Sequence, residues 1–434
     1  MQILVRKLLH RISTKQTIGL RAYSTNKFID VGQPTPASHP QLMKEGEITP
    51  GKGAEEYNSR RKRLLELLPE NSVAILAAAP VKMMTDVVPY TYRQDADYLY
   101  ITGCEQPGGL AVLSHECGSC MFMLETSPHD VNWKGPVAGV EAALETFKAE
   151  KAYPMRKIHE ILPDMIGRSS KLFHNKEAAA QTLTDLNAFQ KADYYGKVKN
   201  LSKLTDVLRW VKSPAELKLM RESASIACQE LSIGALLQTM MYSKTHPYEG
   251  MLAAKFEYEC KMRGAQRMAV LSYLTPVVGG GSNATVIHYS RNDQKIEDGD
   301  LVLIDVGCEL HGYVSDLTRT PCGSFLLYNQ PSSESATELE ALLLKEELYD
   351  LILQTNKECL KLCKPGANLL DIHHYSVRML RKGLKEIGIY LGMDVHDSSM
   401  VSYERTLEPG VVITIEPGLY IPSSFDGPES RRMT

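Results

Sequence analysis

Three carboxylates and two histidines fall where ordinary surface residues would not. In LVLIDVGCELHGYVSDLTRT, Asp305 and Asp316 stand eleven residues apart, at the ends of two apolar runs joined by a short polar, glycine-containing segment. A hairpin brings such a pair together, and buried like charges repel unless one is protonated or a cation lies between them. Taken alone the pair also fits a plainer reading, with each aspartate facing solvent at a loop edge. Glu416 in ITIEPG tips the balance, because a glutamate inside an Ile-Thr-Ile strand sits among apolar neighbours, where that side chain is rare unless paired or metal-bound. Three hard oxygen ligands suit manganese, magnesium or calcium, with cobalt or zinc as borderline choices. His288, in a Gly/Asn/Thr-rich loop, and His396, in MDVHD, would each alone be ordinary hydrogen-bonded histidines. Beside three carboxylates they make a site for activating water.

The elements that must position these residues are legible in outline. KSPAELKLMRESASIACQELSIGALLQTM opens with Ser213 as a cap, Pro214 at the first helical position and Glu216 three residues after the cap, a capping box that starts a long helix. Apolar residues at 217, 220, 224, 227 and 231 predict its core face. A helix through Phe256–Gly264, the loop VVGGGSNATVIHYS, a strand pair around LVLIDVG and YVSDLTRT, a helix near EELYDLILQTNKECLKLC and final strands at VVITIEPGLYI follow, which reads as α+β with mainly antiparallel pairing. Upstream, the apolar runs SVAILAAAP, DYLYITG and GLAVLS alternate with helical stretches such as YNSRRKRLLELL, the pattern of a smaller α/β domain. The expected division is a leader over 1–23, a Pro-rich arm over 24–53, an N-terminal domain over 54–201 and a catalytic domain over 202–434.

At 434 residues and 43% hydrophobic, the chain can bury a large core, as two domains or as a large domain with a smaller one. A net charge of -3 offers no basic field for phosphate backbones, which argues against nucleic acid, and no apolar run reaches the length of a membrane span. Nine scattered cysteines suit a reducing compartment, and the lone CxxC of Cys117 and Cys120 reads as a tight turn between strands rather than a zinc site. From Met1 to Ile29 there is no acidic residue, while Arg6, Lys7, Arg11, Lys15, Arg21 and Lys27 are basic, and Ile3, Leu4, Leu8 and Leu9 gather on one helical side. This is transit-peptide composition. RAYS (Arg21 to Ser24) is similar to presequences cut two residues after an arginine, after which a second peptidase removes the exposed bulky residue, here Tyr23. The mature chain then starts near Ser24, in the mitochondrion and within it the matrix.

From about Gly32 to Pro428 the chain resembles the pita-bread-fold metallopeptidases of the aminopeptidase P (Xaa-Pro aminopeptidase) group, in its mitochondrial intermediate-cleaving branch. YTYRQDADYLYITGCEQPGG resembles that group's N-terminal, creatinase-like domain, and IHYSRND, LIDVGCE, YVSDLTRT, YLGMDVHD and VVITIEPGLYI resemble its catalytic motifs in order. The resemblance implies two divalent metals, usually manganese, with Asp305 and Asp316 as ligands and Glu416 as a ligand that also serves as general base. A hydroxide bridging the metals would attack the first peptide carbonyl. His288 and His396 would bind substrate and stabilise the tetrahedral intermediate. Peptide or protein N-termini are the implied partners, shortened by one residue, and a homo-oligomer stays open.

Three places depart from the group's pattern. Ile389 stands where the group has a metal-binding histidine; FDGPESRRMT ends the chain without the group's Gly-x-Arg-x-Glu-Asp strand, Glu429 not matching it; and LLYNQPSSESATELEALLLK lengthens a short connection, after a TRTPCG that lacks the usual aromatic residue. These read as a truncated or alternatively spliced form whose catalytic domain is incomplete internally and at its end. Three functions therefore compete: a manganese aminopeptidase that takes one residue from imported mitochondrial proteins after presequence cleavage, a general Xaa-Pro aminopeptidase, and a non-catalytic variant that binds peptides or partners.

Overall fold

The structure, a computed structural model, describes residues 31–176, 181–228, 234–243, 245–269, 276–297, 299–320, 336–387 and 404–420. The expected leader over 1–23, the first residues of the arm, all of the LLYNQPSSES segment, Ile389, His396 and Glu429 lie outside the described residues.

The arm forms a short antiparallel hairpin, β1 (Glu47–Thr49) and β2 (Lys52–Gly53), and then enters the helix Ala54–Leu67. Ahead of it, Val31 is buried and Gln33 donates to the Gly103 carbonyl at 3.0 Å, so the arm packs on the domain that follows. That domain is a mixed six-stranded sheet of β3 (Ser72–Ala77), β4 (Leu110–Ser114), β5 (Gly118–Met123), β6 (Lys151–Pro154), β7 (Lys171–His174) and β8 (Val198–Lys199), in the order β6-β5-β4-β3-β7-β8. β3 is buried along its whole length because layers cover both faces, with Tyr57, Leu64 and Tyr98 on one and Leu162, Ile166 and Phe189 on the other. Cys117 sits at the β4–β5 turn and Cys120 in β5, both free thiols, as the turn reading requires.

One apolar run is not a strand. DYLYITG forms the helix Ala96–Thr102, because Asp95 caps it by accepting from the Tyr98 amide at 2.8 Å and Gly103, at φ +72°, closes it in the left-handed conformation. Its aromatic residues suit either period, and the flanking caps decide.

The second sheet is built on one long strand, β11 (Val302–Leu310), with β9 (Arg267–Ala269), β10 (Val277–Gly280), β12 (Tyr313–Val314) and β13 (Leu317–Arg319), every pairing antiparallel. The helices Pro214–Cys228, Ala235–Tyr242 and Glu249–Met262 share a core with it, Phe256, Leu252 and Ala227 meeting Val278, Ile304 and Val306. The capping box is present: Ser213 Oγ accepts from the Glu216 amide at 3.2 Å and the Glu216 carboxylate accepts from the Ser213 amide at 2.8 Å. Its buried face, however, is Glu216, Leu219, Ser223 and Ala227, while Leu217 and Met220 are half-buried and Ala224 is exposed. The face turns toward the two polar residues because both have partners inside, Ser223 Oγ donating to the Cys308 carbonyl at 2.8 Å and Glu216 accepting from Tyr313 Oη at 3.0 Å.

The long helices Ala336–Leu362 and Leu369–Ile387 contribute Cys359 and Ile372 to a cluster with Leu407 and Trp210, the last from the helix Ser202–Trp210, whose Leu208 belongs to the N-terminal core. Val411, Ile413 and Ile415 pack against that cluster with the alternation of a strand, yet residues 411–420 join no ladder among the described residues. No helix of the described residues is long and apolar enough to cross a membrane.

Candidate metal centre

Asp305 lies in mid-strand on β11, opposite Val277 of β10 on one side and Thr318 of β13 on the other. Thr318 Oγ1 donates to Asp305 Oδ1 at 2.9 Å, which fixes the carboxylate and leaves its second oxygen free to bind. Asp316 enters β13 from the turn side, where Val306 opposite Leu317 holds the register. The hairpin expected from the eleven-residue spacing is present, and it sets the two carboxylates on one ribbon.

Each carboxyl responds to its surroundings. Burial raises the Asp305 carboxyl above its ordinary range, opposed by the Thr318 hydrogen bond and by the charge of His288. Asp316 opens to solvent on one side, yet desolvation by the protein round it, followed by the like charges of Glu416 and Asp305, raises it to about 6. Tyr420 is raised by burial and then by Asp305 and Glu416. Asp316 therefore senses Glu416 and Asp305, Asp305 senses His288, and Tyr420 senses Asp305 and Glu416; His396 is outside the described residues.

Glu416 differs from expectation in its surroundings. It is exposed, because the alternation that turns Ile413 and Ile415 onto the Trp210 cluster turns Glu416 to the opposite side, that of Asp316. Its carboxylate thus lies on the side of Asp316 rather than submerged among apolar neighbours.

His288 rides on the loop after β10, and that loop hangs on a residue with no motif to announce it. Glu249, fully buried, accepts from the Gly280 amide, Asn283 Nδ2, Tyr289 Oη and the Gln294 amide, each at 2.9 Å. Four donors compensate the burial of one carboxylate. Gly279 is required inside the same turn, since a Cβ there would come within 2.9 Å of the Asn283 backbone.

The donor set suits a hard divalent cation in kind: the carboxylate oxygens of Asp305, Asp316 and Glu416, with Asp316 raised by desolvation and then by the charges of the other two. Among the described residues no three histidine, cysteine, aspartate or glutamate side chains converge closely enough to close a ligand shell. Thr318, Glu249 and Tyr420 were not singled out from sequence; only Thr318 carried a usable signal, since the hairpin register places it opposite Asp305.

Comparison with known proteins follows the same division of the chain. Residues 218–431 match the profile of metallopeptidase family M24, and residues 57–173 that of the aminopeptidase P N-terminal domain. The chain is 61% identical to the mitochondrial intermediate cleaving peptidase 55 of Arabidopsis thaliana, over 99% of this chain and 86% of that protein. It is 34% identical to Xaa-Pro aminopeptidase 3 of Rattus norvegicus, over 93% of this chain and 83% of the other. Among solved structures it is similar to zinc-substituted aminopeptidase P of E. coli in complex with product, with a TM-score of 0.72 at 27% identity, covering 88% of this chain and 90% of that one.

Proposed function

The chain belongs to metallopeptidase family M24, and from that premise we propose that it removes one residue from the new N-terminus of imported mitochondrial proteins once their presequences have been cut away. It is a metal-dependent aminopeptidase, and it works in the mitochondrion, in our reading in the matrix. The observation that carries the assignment is the hairpin that brings Asp305 and Asp316 together beside Glu416.

We assign Asp305, Asp316 and Glu416 as metal-holding residues and manganese, two ions per site, as the metal. A bound divalent ion supplies a water acidic enough to act at neutral pH and an electrophile for the peptide carbonyl. The rest falls to the chain's own groups. Thr318 holds Asp305 in one orientation so that its free oxygen faces the site. Glu416, solvent-accessible and beside Asp316, is placed to accept a proton from the attacking water, and His288 on its anchored loop is placed to donate a hydrogen bond to the developing oxyanion. His396 we assign to substrate binding with His288.

Manganese-loaded full-length protein should cleave a Tyr-Ser peptide after its first residue and leave an Arg-Pro peptide largely intact. Preference for Arg-Pro would transfer the assignment to general Xaa-Pro aminopeptidase activity, the name several relatives carry. Failure on both substrates would support the non-catalytic variant that Ile389 suggests.

A further inference from the structure

The hairpin that carries Asp316 is gripped at its tip by the other domain. Arg60, 3% exposed in the helix Ala54–Leu67, donates from Nη2 to Tyr313 Oη at 3.2 Å and from Nη1 to the Tyr100 carbonyl at 3.1 Å. It pairs with Glu56 and, at 3.5 Å, with Glu216, and its guanidinium lies 4.0 Å from the centre of the Tyr100 ring. Tyr313 Oη in turn donates a hydrogen bond to Glu216 at 3.0 Å. Lys52, 2% exposed, caps the turn by donating to the His311 carbonyl at 3.3 Å and lying 4.4 Å over the Tyr313 ring. The turn itself, with His311 at φ +49° and Gly312 at +85°, fits so closely that a Cβ on Gly312 would stand 3.0 Å from Leu99 of the N-terminal domain.

From this knot the backbone runs three residues to Asp316. Ser315 is stitched back to β11 on the way, its amide donating to the Cys308 carbonyl at 2.9 Å and its Oγ accepting from the Cys308 amide at 3.2 Å. A displacement of Tyr313 is therefore passed along a short, doubly bonded ribbon to the carboxylate. We propose that Arg60 is a positioning residue: acting through Tyr313, it sets the hairpin that carries Asp316, so that the N-terminal domain tunes the metal affinity of the catalytic domain. The planar fork of an arginine, held by two carboxylates and a ring face, fixes a hydroxyl in a way that a freely rotating ammonium cannot. The proposal rests on the assignment of Asp305 and Asp316 as metal ligands.

Arg60→Met strips two glutamates of their counter-charge and endangers folding, so Tyr313→Phe, which deletes one oxygen, carries the test. Manganese titration by calorimetry and amide exchange over residues 313–316 are measured on the full chain, with Asp316→Asn as reference. Wild type should bind manganese and Asp316→Asn should bind it far more weakly. Tyr313→Phe should lose about tenfold or more in affinity, the usual effect of removing an outer support, and exchange faster over 313–316. If either quantity stays at its wild-type value, the proposal is overturned while the ligand assignment stands. If wild type takes up no manganese, or Asp316→Asn binds equally well, the ligand assignment fails and takes the proposal with it.

Discussion

Asp316 and Lys52 respond to their surroundings in opposite directions. With its carboxyl raised to about 6, Asp316 holds a proton in the folded state over a range where the unfolded chain has released it. Its contribution to stability therefore falls as pH rises from about 4 to about 6, and a divalent ion must displace that proton to bind. Manganese affinity should fall by roughly tenfold per pH unit below about 6, a slope that Asp316→Asn should abolish along with most of the binding. Lys52 behaves in the opposite sense. Burial, then the charge of Arg60, lowers it from 10.5 to about 8, so the unfolded chain binds more protons between those values and stability rises with pH through that window. A shift of that size is worth on the order of 3 kcal/mol, and thermal melts of Lys52→Met should lack the rise from pH 8 to 10 that wild type shows. The carboxylate pair was legible because its spacing and apolar flanks specify a hairpin locally. Glu249 was not, because its four partners come from residues 280 to 294 and only the folded loop reveals them.

At the scale of elements, the capping box was readable letter by letter, and its loss should be measurable as a helix effect. Ser213→Ala should destabilise the protein by about 1 kcal/mol in denaturant melts, because the Glu216 amide loses its acceptor. The face of that helix was misjudged by one residue, since periodicity counts apolar letters and cannot know that Glu216 and Ser223 find partners inside. DYLYITG was misjudged for a related reason: aromatic and β-branched residues satisfy both periods, and Asp95 with Gly103 chose the helix. The loop that carries His288 depends on Glu249 in the same local way. Glu249→Gln keeps the shape but replaces charged acceptors, and should destabilise the fold by roughly 1–3 kcal/mol while lowering turnover through His288. Stability loss with full turnover retained would show that the loop does not position that histidine.

At the scale of the molecule, the two domains meet through buried and half-buried charge. Besides the Arg60 knot, Glu309, 3% exposed, accepts from Arg93 at 2.6 Å and from Arg267 at 2.8 Å, joining residues 216 positions apart in sequence. Such pairings are invisible to any local pattern, which is why the sequence implied two domains but not that one of them grips the hairpin of the other. Among the described residues Asp305 and Asp316 share one hairpin, Glu416 acts on Asp316 and His288 on Asp305, while Ile389 and His396 lie outside them. Metal binding therefore decides the assignment. Full-length protein loaded with manganese, desalted and assayed for peptide cleavage in the same sample should retain close to two ions per chain and release single N-terminal residues. Protein that retains no metal and leaves every peptide intact would contradict it.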